Sequence, residues 1–346
     1  MHWSISRRRI RFATLLLTVT LFQYAPLVLL LSKGTSFLEL QTINEQLAHG
    51  PPQSSAENSP SPNFFEWKCI DSCSCLPQAV YNGTSSVIMH QSYKTSDPLH
   101  WHHGWRAQRQ TYIDLHPSWT FIFWNDTQNL LLANCTGYAD VFEKRSGIQQ
   151  ADLARLLYLY QHGGFYADLD YIALRNHDAL FQLTVNETVD IRSQQLLLQG
   201  RYDQVVGLEW GYARQSKHPL WAYCLDIAHG QIGWKKRQGC PIYYTGPNML
   251  NRCIKQYFQK KDQDLKQMVS YGQNDLMILE PSFIAPVSGT DFTSDCGQWR
   301  NESILTEDDS IWVKDWPKSS CMRNLTKTGA FAVTLYSHSW GQGLKC

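Results

Sequence analysis

Two carboxylates lie one residue apart in an otherwise apolar run of the segment LLYLYQHGGFYADLDYIALR, Leu156–Arg175. The apolar pattern predicts a helix through GIQQADLARLLYLYQHGG that ends at Gly163 and Gly164, followed by a strand through FYADLDYIAL. Burying an acid costs free energy unless its charge is compensated. Asp168 and Asp170 therefore need an explanation that the fold alone does not provide.

Residues two apart in an extended strand project to the same side, about 6–7 Å from each other. We therefore predict that Asp168 and Asp170 face one way and that Leu169 packs on the other. Two converging carboxylates repel unless a cation lies between them, and Mn2+ or Mg2+ prefers carboxylate oxygens. A metal that also holds a diphosphate would bind a nucleotide-activated substrate and stabilise the departing diphosphate.

The chain contains a second Asp-x-Asp pair, Asp262 and Asp264 in QKKDQDLKQ, which serves as an internal comparison. A chain of this length should contain about one such pair by chance. The second pair lies among lysines, so a solvated helix face explains it. The apolar residues around Asp168 and Asp170 distinguish that pair from a chance occurrence.

Asp152 and Arg155 lie three residues apart in the predicted helix and therefore share a face. One interpretation is a local ion pair. The other is a carboxylate and a guanidinium that bind the hydroxyls of a sugar, because the Gly-Gly turn lets the helix and the following strand share one pocket.

Further elements alternate along the chain: a strand in SSVIMHQSYK, a helix in WHHGWRAQRQTYIDLHP that ends at Pro117, and a strand in WTFIFWND. This alternation predicts an α/β fold. The 346 residues are 43% hydrophobic, which is typical of a globular protein. A formal net charge of +1 gives no strong field for nucleic acid, so we expect no nucleic-acid partner.

The segment Phe12–Leu31 has 20 residues without a charge, enough for a helix of about 30 Å that crosses a bilayer. Four arginines precede it and only Lys33 follows closely, so the positive-inside rule places the N-terminus in the cytosol. A cleaved signal peptide is the alternative. The length of the run and the lack of a clear cleavage site favour an uncleaved signal-anchor.

We predict four regions: a cytosolic tail at 1–11, a transmembrane signal-anchor at 12–31, a flexible Pro- and Ser-rich stem at 32–63 and a lumenal catalytic domain at 64–346. All ten cysteines follow the membrane segment, which fits an oxidising compartment. These features predict a single-pass type II protein of the Golgi membrane. Six Asn-x-Ser/Thr sequons begin at Asn82, Asn125, Asn134, Asn186, Asn301 and Asn324.

The segment ADLARLLYLYQHGGFYADLDYIAL resembles the Asp-x-Asp sugar-binding region of glycosyltransferase family 32. The strands in VIMHQSYKT and PSWTFIFWND, the segments SKHPLWAYCLDIA and YYTGPNML, and the C-terminal YSHSWGQG are also similar to elements of this family, in the same order. The resemblance covers about Val87 to Trp340. It is closest to the initiating and inositol-phosphoceramide mannosyltransferases.

The resemblance implies a GT-A-type fold with a mixed central sheet, a nucleotide-sugar donor, a divalent metal and retention of anomeric configuration. Asp168 and Asp170 match the catalytic motif that binds the metal and the diphosphate. Asp152 and Arg155 match the sugar-binding helix, and Tyr93 matches an aromatic residue that stacks on the nucleobase.

The C-terminal element of the family closes over the diphosphate, and His338, Ser339 and Trp340 match it. The resemblance implies that His338 is a metal ligand and that Ser339 and Trp340 bind the donor. The alternative for Trp340 is that it packs the last strand, AFAVTLYS, onto the core.

The sequence thus predicts a retaining hexosyltransferase that uses GDP-mannose, with UDP-galactose or UDP-N-acetylglucosamine as the alternative donor. Its acceptor would be a glycolipid or a glycan, and its N-terminal helix would hold it in the membrane. An aspartate-nucleophile phosphohydrolase also uses Asp-x-Asp after a strand, but Tyr171 stands where such enzymes usually have Thr or Val. A sugar-binding protein without catalytic activity is the third possibility.

Overall fold

A computed structural model describes the part of the chain that contains the predicted Asp-x-Asp region. The described residues are 67–69, 75–77, 87–101, 104–182, 184–185, 189–190, 195–200, 206–230, 240–264, 276–279, 281–284 and 318–334. The predicted membrane segment 12–31 and the stem 32–63 lie outside these ranges. Within the ranges, no helix combines the length and the apolar character that a membrane crossing requires.

A mixed sheet of six strands lies at the centre of the described residues. In spatial order its strands are β11 (Leu276–Leu279), β9 (Leu196–Gly200), β10 (Val206–Ala213), β5 (Gly164–Ala167), β3 (Ile88–Ser92) and β4 (Thr120–Trp124). Strand β3 pairs in parallel with β4 and β5, and β11 pairs in parallel with β9. Strand β10 is antiparallel to both β5 and β9. The predicted α/β class with a mixed central sheet is confirmed.

The remaining strands form short antiparallel pairs. These are β1 (Trp67–Cys69) with β2 (Cys75–Pro77), β6 (Tyr171–Ala173) with β12 (Ala332–Thr334), and β7 (Thr184–Val185) with β8 (Val189–Asp190). The α-helices are α1 (Trp105–Leu115), α2 (Asp126–Thr136), α3 (Ala139–Glu143), α4 (Gly147–Gln161), α5 (Pro219–Gly230), α6 (Pro241–Tyr244), α7 (Pro247–Asp264) and α8 (Ser320–Lys327). Two 3-10 helices span Pro98–His100 and His177–Gln182.

Apolar residues form two buried clusters, and the alternation of side chains on β5 contributes to both. Tyr166 belongs to the cluster that contains α4, α5 and α7, whereas Phe165 and Ala167 belong to the cluster that contains Tyr112 of α1 and Phe331. Successive residues of a strand project to opposite faces, so β5 contributes to two cores at once. This explains why its sequence is apolar at every position.

Helix α4 confirms the predicted helix that ends at the Gly-Gly pair. It ends at Gln161, immediately before His162 and the two glycines. The side chain of Gln149 accepts a hydrogen bond from the backbone N–H of Ser146, which satisfies one donor at the start of the helix. The predicted helix before Pro117 and the strands before Tyr93 and Asn125 are also present, as α1, β3 and β4.

The prediction of one continuous strand through FYADLDYIAL is wrong. Strand β5 ends at Ala167, residues 168–170 form a turn, and β6 begins at Tyr171. The backbone N–H of Asp168 donates to the carbonyl of Glu209 (2.8 Å), and that of Tyr171 donates to the carbonyl of Asp168 (3.1 Å). The chain turns here because it leaves its partner β10 in the central sheet and pairs with β12 in a second sheet.

Gly164 connects α4 to β5 in a conformation that favours glycine. Its φ is 84°, and a Cβ atom at this position would lie 2.4 Å from the carbonyl oxygen of Ile88. Both the left-handed backbone and the close approach of β3 exclude a larger residue.

We expect Gly164→Ala to lower the free energy of unfolding by about 2 kcal/mol or more, because both the positive φ and the contact with Ile88 become unfavourable. Chemical denaturation measures this change. Gly230→Ala is the matched control, since Gly230 ends α5 with nothing within 4 Å of the added Cβ atom. Equal stability of the two variants would contradict the proposed steric role of Gly164.

Candidate functional site

A cavity of about 440 Å³ opens where β3 and β5 end. Helices α2 and α4 supply a second wall of this cavity. Its lining residues are Ser92, Tyr93, Lys94, Trp105, Asp126, Asn129, Gly147, Ile148, Ala151, Arg155, Tyr166, Asp168, Leu169 and Asp170. Five of the residues predicted from the sequence lie in the described part of the chain, and four of them line this cavity: Tyr93, Arg155, Asp168 and Asp170. The fifth, Asp152, does not line it.

Asp168 and Asp170 reach the same cavity from the turn between β5 and β6. The extended geometry expected for them is wrong, because the turn replaces the strand at these positions. Both acids are partly exposed, whereas Leu169 between them is 3% exposed. A turn therefore brings the two carboxylates to one cavity and keeps the intervening leucine buried.

The guanidinium of Arg155 connects helix α4 to the first of these acids. Its Nη2 atom lies 3.0 Å from Oδ1 and 3.2 Å from Oδ2 of Asp168. Its Nη1 donates to Oδ1 of Asp152 (2.9 Å), and its Nε donates to the hydroxyl of Tyr166 (3.1 Å). The Tyr166 hydroxyl in turn donates to Oδ1 of Asp168 (2.5 Å). Charge-assisted hydrogen bonds of this kind fix the orientation of the carboxylates of Asp152 and Asp168.

Asp152 lies behind Arg155, away from the cavity. It is 7% exposed, and its Oδ2 atom accepts a hydrogen bond from the hydroxyl of Thr245 (2.8 Å). The local ion pair is therefore present, and its arginine is the member that lines the cavity. In this geometry Asp152 acts on the cavity through Arg155.

Three residues near this network were not among the sequence predictions: Tyr166, Thr245 and Glu209. Thr245 lies in the segment YYTGPNML, and Tyr166 precedes Asp168 by two residues. Glu209 lies in β10, and its charge acts on both Asp152 and Asp168. The sequence did contain a signal for Glu209, because VGLEWGYA places a single acid in an apolar strand.

Burial governs the ionisation of the acids around Arg155. It raises the pKa of Asp168 to about 7, with Arg155 opposing the rise and Asp170 adding to it. Burial also raises the pKa of Asp152 to about 6, again against the effect of Arg155. One guanidinium thus compensates only part of the negative charge of Asp152, Asp168 and Glu209, and the excess favours a bound cation.

The residues present fit a divalent metal of the Mn2+ or Mg2+ type. Both carboxylates of the turn line one cavity, and the negative charge there exceeds what Arg155 compensates. Ions of this type use one or two carboxylates together with substrate phosphates. Among the residues that the structure describes, no group of three or more His, Cys, Asp or Glu could hold a metal ion. The metal would therefore need further oxygen ligands, which a bound diphosphate could supply.

Tyr93 follows β3 and lines the cavity, where its backbone N–H donates to the carbonyl of Trp124 (3.1 Å). Its ring meets that of Trp105 edge to face, with centroids 5.0 Å apart. Stacking on a nucleobase stays a prediction for this residue. The predicted residues His338, Ser339 and Trp340 lie outside the described residues, so their roles also stay predictions.

Comparisons with known proteins identify the same region. Residues 102–188 match the family described as "Glycosyltransferase sugar-binding region containing DXD motif". The chain is 34% identical over 101 residues to inositol phosphoceramide mannosyltransferase 2 of Schizosaccharomyces pombe, covering 28% of each protein. It is 38% identical over 177 residues to mannosyl phosphorylinositol ceramide synthase SUR1 of Saccharomyces cerevisiae, covering 49% of this chain and 42% of that protein. The chain therefore matches less than half the length of either relative.

One solved structure, the PaToxG glycosyltransferase, is similar over 54% of this chain and 74% of its own, with 13% sequence identity and a TM-score of 0.36.

We expect Asp152→Ala to lower the free energy of unfolding by about 2 kcal/mol, because the variant removes the buried carboxylate that accepts hydrogen bonds from Arg155 and from the Thr245 hydroxyl. Urea denaturation of the two proteins measures the difference. Lys144→Ala is the control, since Lys144 forms an exposed ion pair with Asp140 at 3.9 Å and its loss should be hardly measurable. If Asp152→Ala is as stable as the control, Asp152 does not hold Arg155 in place.

Proposed function

We propose that the protein is a metal-dependent glycosyltransferase, because its residues 102–188 match the family described as "Glycosyltransferase sugar-binding region containing DXD motif". The reaction that we propose moves mannose from GDP-mannose to a glycolipid acceptor with retention of anomeric configuration. The observation that carries the proposal is the convergence of Asp168, Asp170 and Arg155 on one cavity. The names of the two relatives support an inositol phosphoceramide as the acceptor.

In this reaction the protein must bind a diphosphate and stabilise it as it leaves. When bound at Asp168 and Asp170, a Mn2+ or Mg2+ ion supplies positive charge that neutralises the leaving diphosphate. Arg155 lines the cavity, and its guanidinium has five N–H donors, more than its three described partners occupy. Arg155 can therefore donate a hydrogen bond to an oxygen of the nucleotide sugar while Asp152 and Thr245 keep its side chain in position.

The cavity also supports guanine as the base of the donor. Asp126, at the start of α2, lines it together with Tyr93. Guanine carries an N–H and a neighbouring amino group, which can both donate to one carboxylate. Uracil presents a single N–H between two carbonyl oxygens. A carboxylate near this N–H is repelled by the partial negative charge of both oxygens. This difference supports GDP-mannose over UDP-galactose or UDP-N-acetylglucosamine.

We also propose a GT-A-type arrangement and a place in the Golgi membrane as a single-pass type II protein anchored by residues 12–31. The proposed lumenal location is supported by the disulfide between Cys224 and Cys253, and every cysteine whose side chain is described is disulfide-bonded. Two sequons, at Asn134 and Asn324, lie at exposed positions. Disulfides and glycans both form in the secretory pathway.

A screen of activated donors tests the proposed reaction without knowledge of the acceptor. We expect slow hydrolysis of GDP-mannose that requires Mn2+ and stops when the metal is chelated, measured as release of GDP. Hydrolysis of UDP-galactose or UDP-N-acetylglucosamine, and not of GDP-mannose, would identify that nucleotide sugar as the donor and contradict the proposed one. Hydrolysis of a simple phosphate ester would point to a phosphohydrolase, and sugar binding without hydrolysis of any donor would point to an inactive binding protein.

Asp170→Asn should abolish donor turnover, because it removes a charged oxygen ligand from the proposed metal site. Asp264→Asn is the matched control, since Asp264 belongs to the second Asp-x-Asp pair, at the end of α7. Turnover of the expected donor in both variants measures the effect. Similar rates for the two variants would show that Asp170 is not a metal ligand that turnover requires.

A further inference from the structure

The side-chain amide of Asn129 borders the cavity, and the reaction proposed above gives it no role. Asn129 lies in α2 and is only 4% exposed, yet it lines the cavity. Its Oδ1 atom accepts a hydrogen bond from the hydroxyl of Tyr158. Within the described part of the chain no group accepts a hydrogen bond from its Nδ2 atom, which is also not one of the fully buried atoms without a partner. The N–H groups of this amide are therefore accessible from the cavity, where a ligand can accept from them.

Tyr158 determines which end of this amide faces the cavity. Tyr158 is fully buried, and its ring stacks on the rings of Trp124 and His90 with centroids 4.8 Å and 5.7 Å away. Burial raises the pKa of its phenol, so the hydroxyl keeps its proton and donates it to Oδ1 of Asn129. An amide has one acceptor atom and one donor atom at its end. Because the acceptor is bound to Tyr158, the donor is left for the cavity.

Asp126 lies one helical turn before Asn129 and lines the same cavity. Residues three apart on a helix share a face, with Cβ atoms about 5–6 Å from each other. Helix α2 thus presents a carboxylate, which accepts hydrogen bonds, beside an amide that donates them. The negative charge of Asp126 repels a phosphate group. The pair therefore suits the edge of an uncharged planar ligand that carries a donor and an acceptor side by side.

We propose that Asn129 is a specificity-determining residue for the base of the nucleotide sugar, and that its Nδ2 atom donates a hydrogen bond to O6 of guanine. The inference rests on the proposed function, in which Asp126 accepts from the N–H and the amino group of the same base. O6 is adjacent to that N–H, so one edge of guanine meets both residues. Adenine carries an amino group in place of O6, which would face the N–H groups of Asn129 as donor against donor. Asp126 thus disfavours uracil, and Asn129 disfavours adenine.

The experiment compares GDP with the 5′-diphosphate of 2-aminopurine riboside, a fluorescent analogue that lacks O6, both in the presence of Mn2+. Isothermal titration calorimetry measures the binding of GDP, and fluorescence measures the binding of the analogue. We expect Asn129→Ala to weaken GDP binding about tenfold, the effect of one hydrogen bond, and to change analogue binding less than twofold. Gln110→Ala is the control: it removes an exposed amide of α1 that donates to Asp114 (2.7 Å) and does not line the cavity, and it should change neither.

A second variant keeps the test valid if Asn129→Ala folds poorly, because alanine leaves the Tyr158 hydroxyl without its acceptor. Asn129→Asp retains an oxygen for Tyr158 and replaces the N–H groups with an oxygen that only accepts. We expect this variant to weaken GDP binding at least tenfold and analogue binding less, because O6 is present only in GDP. The melting temperatures of both variants show which of them is folded under the conditions of the titration.

The outcomes separate this inference from the proposed function. Equal weakening of GDP and of the analogue by the folded variants would place the action of Asn129 on the ribose, the diphosphate or the packing, and would overturn its role toward O6. GDP binding within twofold of the unmodified protein would overturn that role as well and leave the proposed donor intact. If the unmodified protein binds UDP and not GDP, the proposed donor itself is wrong, and the inference fails with it.

Discussion

The guanidinium of Arg155 is the interaction on which the site depends, because it is the cation among the acids of a buried cluster. It contacts Asp152 on its own helix and Asp168 on the turn, so it joins helix α4 to the turn that follows β5. Buried ion pairs are weak evidence for stability, since desolvation offsets much of their attraction. Here the ion pairs act through geometry. They hold the carboxylates at fixed positions beside a cavity, so that a charged ligand can bind without a rearrangement of these side chains.

The turn between β5 and β6 explains how carboxylates can lie in such an apolar segment. Strand β5 belongs to the central sheet and β6 to a second sheet, and the chain crosses between them at residues 168–170. At this crossing the side chains of Asp168 and Asp170 leave the apolar layers on both sides and reach the cavity. The apolar residues before and after the turn are buried because each strand has its own sheet partner.

Local interactions explain which parts of the fold the sequence predicted. Helix α4 and its end at the Gly-Gly pair follow from apolar spacing and from the backbone freedom of glycine, which are properties of a short segment. The break between β5 and β6 could not be predicted in the same way, because it depends on β12, which is distant in the chain. An apolar run does not specify which partner strand each half will find.

The same limit applies to the side chains of the site, because contacts between segments that are distant in the chain could not be predicted from the sequence. The sequence identified Asp152, Arg155, Asp168 and Asp170 as a group, because they lie close together along one helix and the turn that follows it. Thr245 and Glu209 come from later segments, and only the packing of α4 against β10 and α6 brings them to the ion pair of Asp152 and Arg155. The same packing places Asp152 behind Arg155, a distinction that helical spacing alone does not make.

The two acids of the motif therefore have different surroundings although they are equivalent in the sequence. Asp168 receives hydrogen bonds from Arg155 and Tyr166, which restrict its carboxylate before any ligand arrives. The charges of both acids add to the burial that raises the pKa of the Tyr112 phenol, which belongs to the other apolar cluster. Asp168 is therefore held by groups of α4 and β5 before a ligand binds, and the turn that carries it is fixed on its other side by the pairing of β6 with β12.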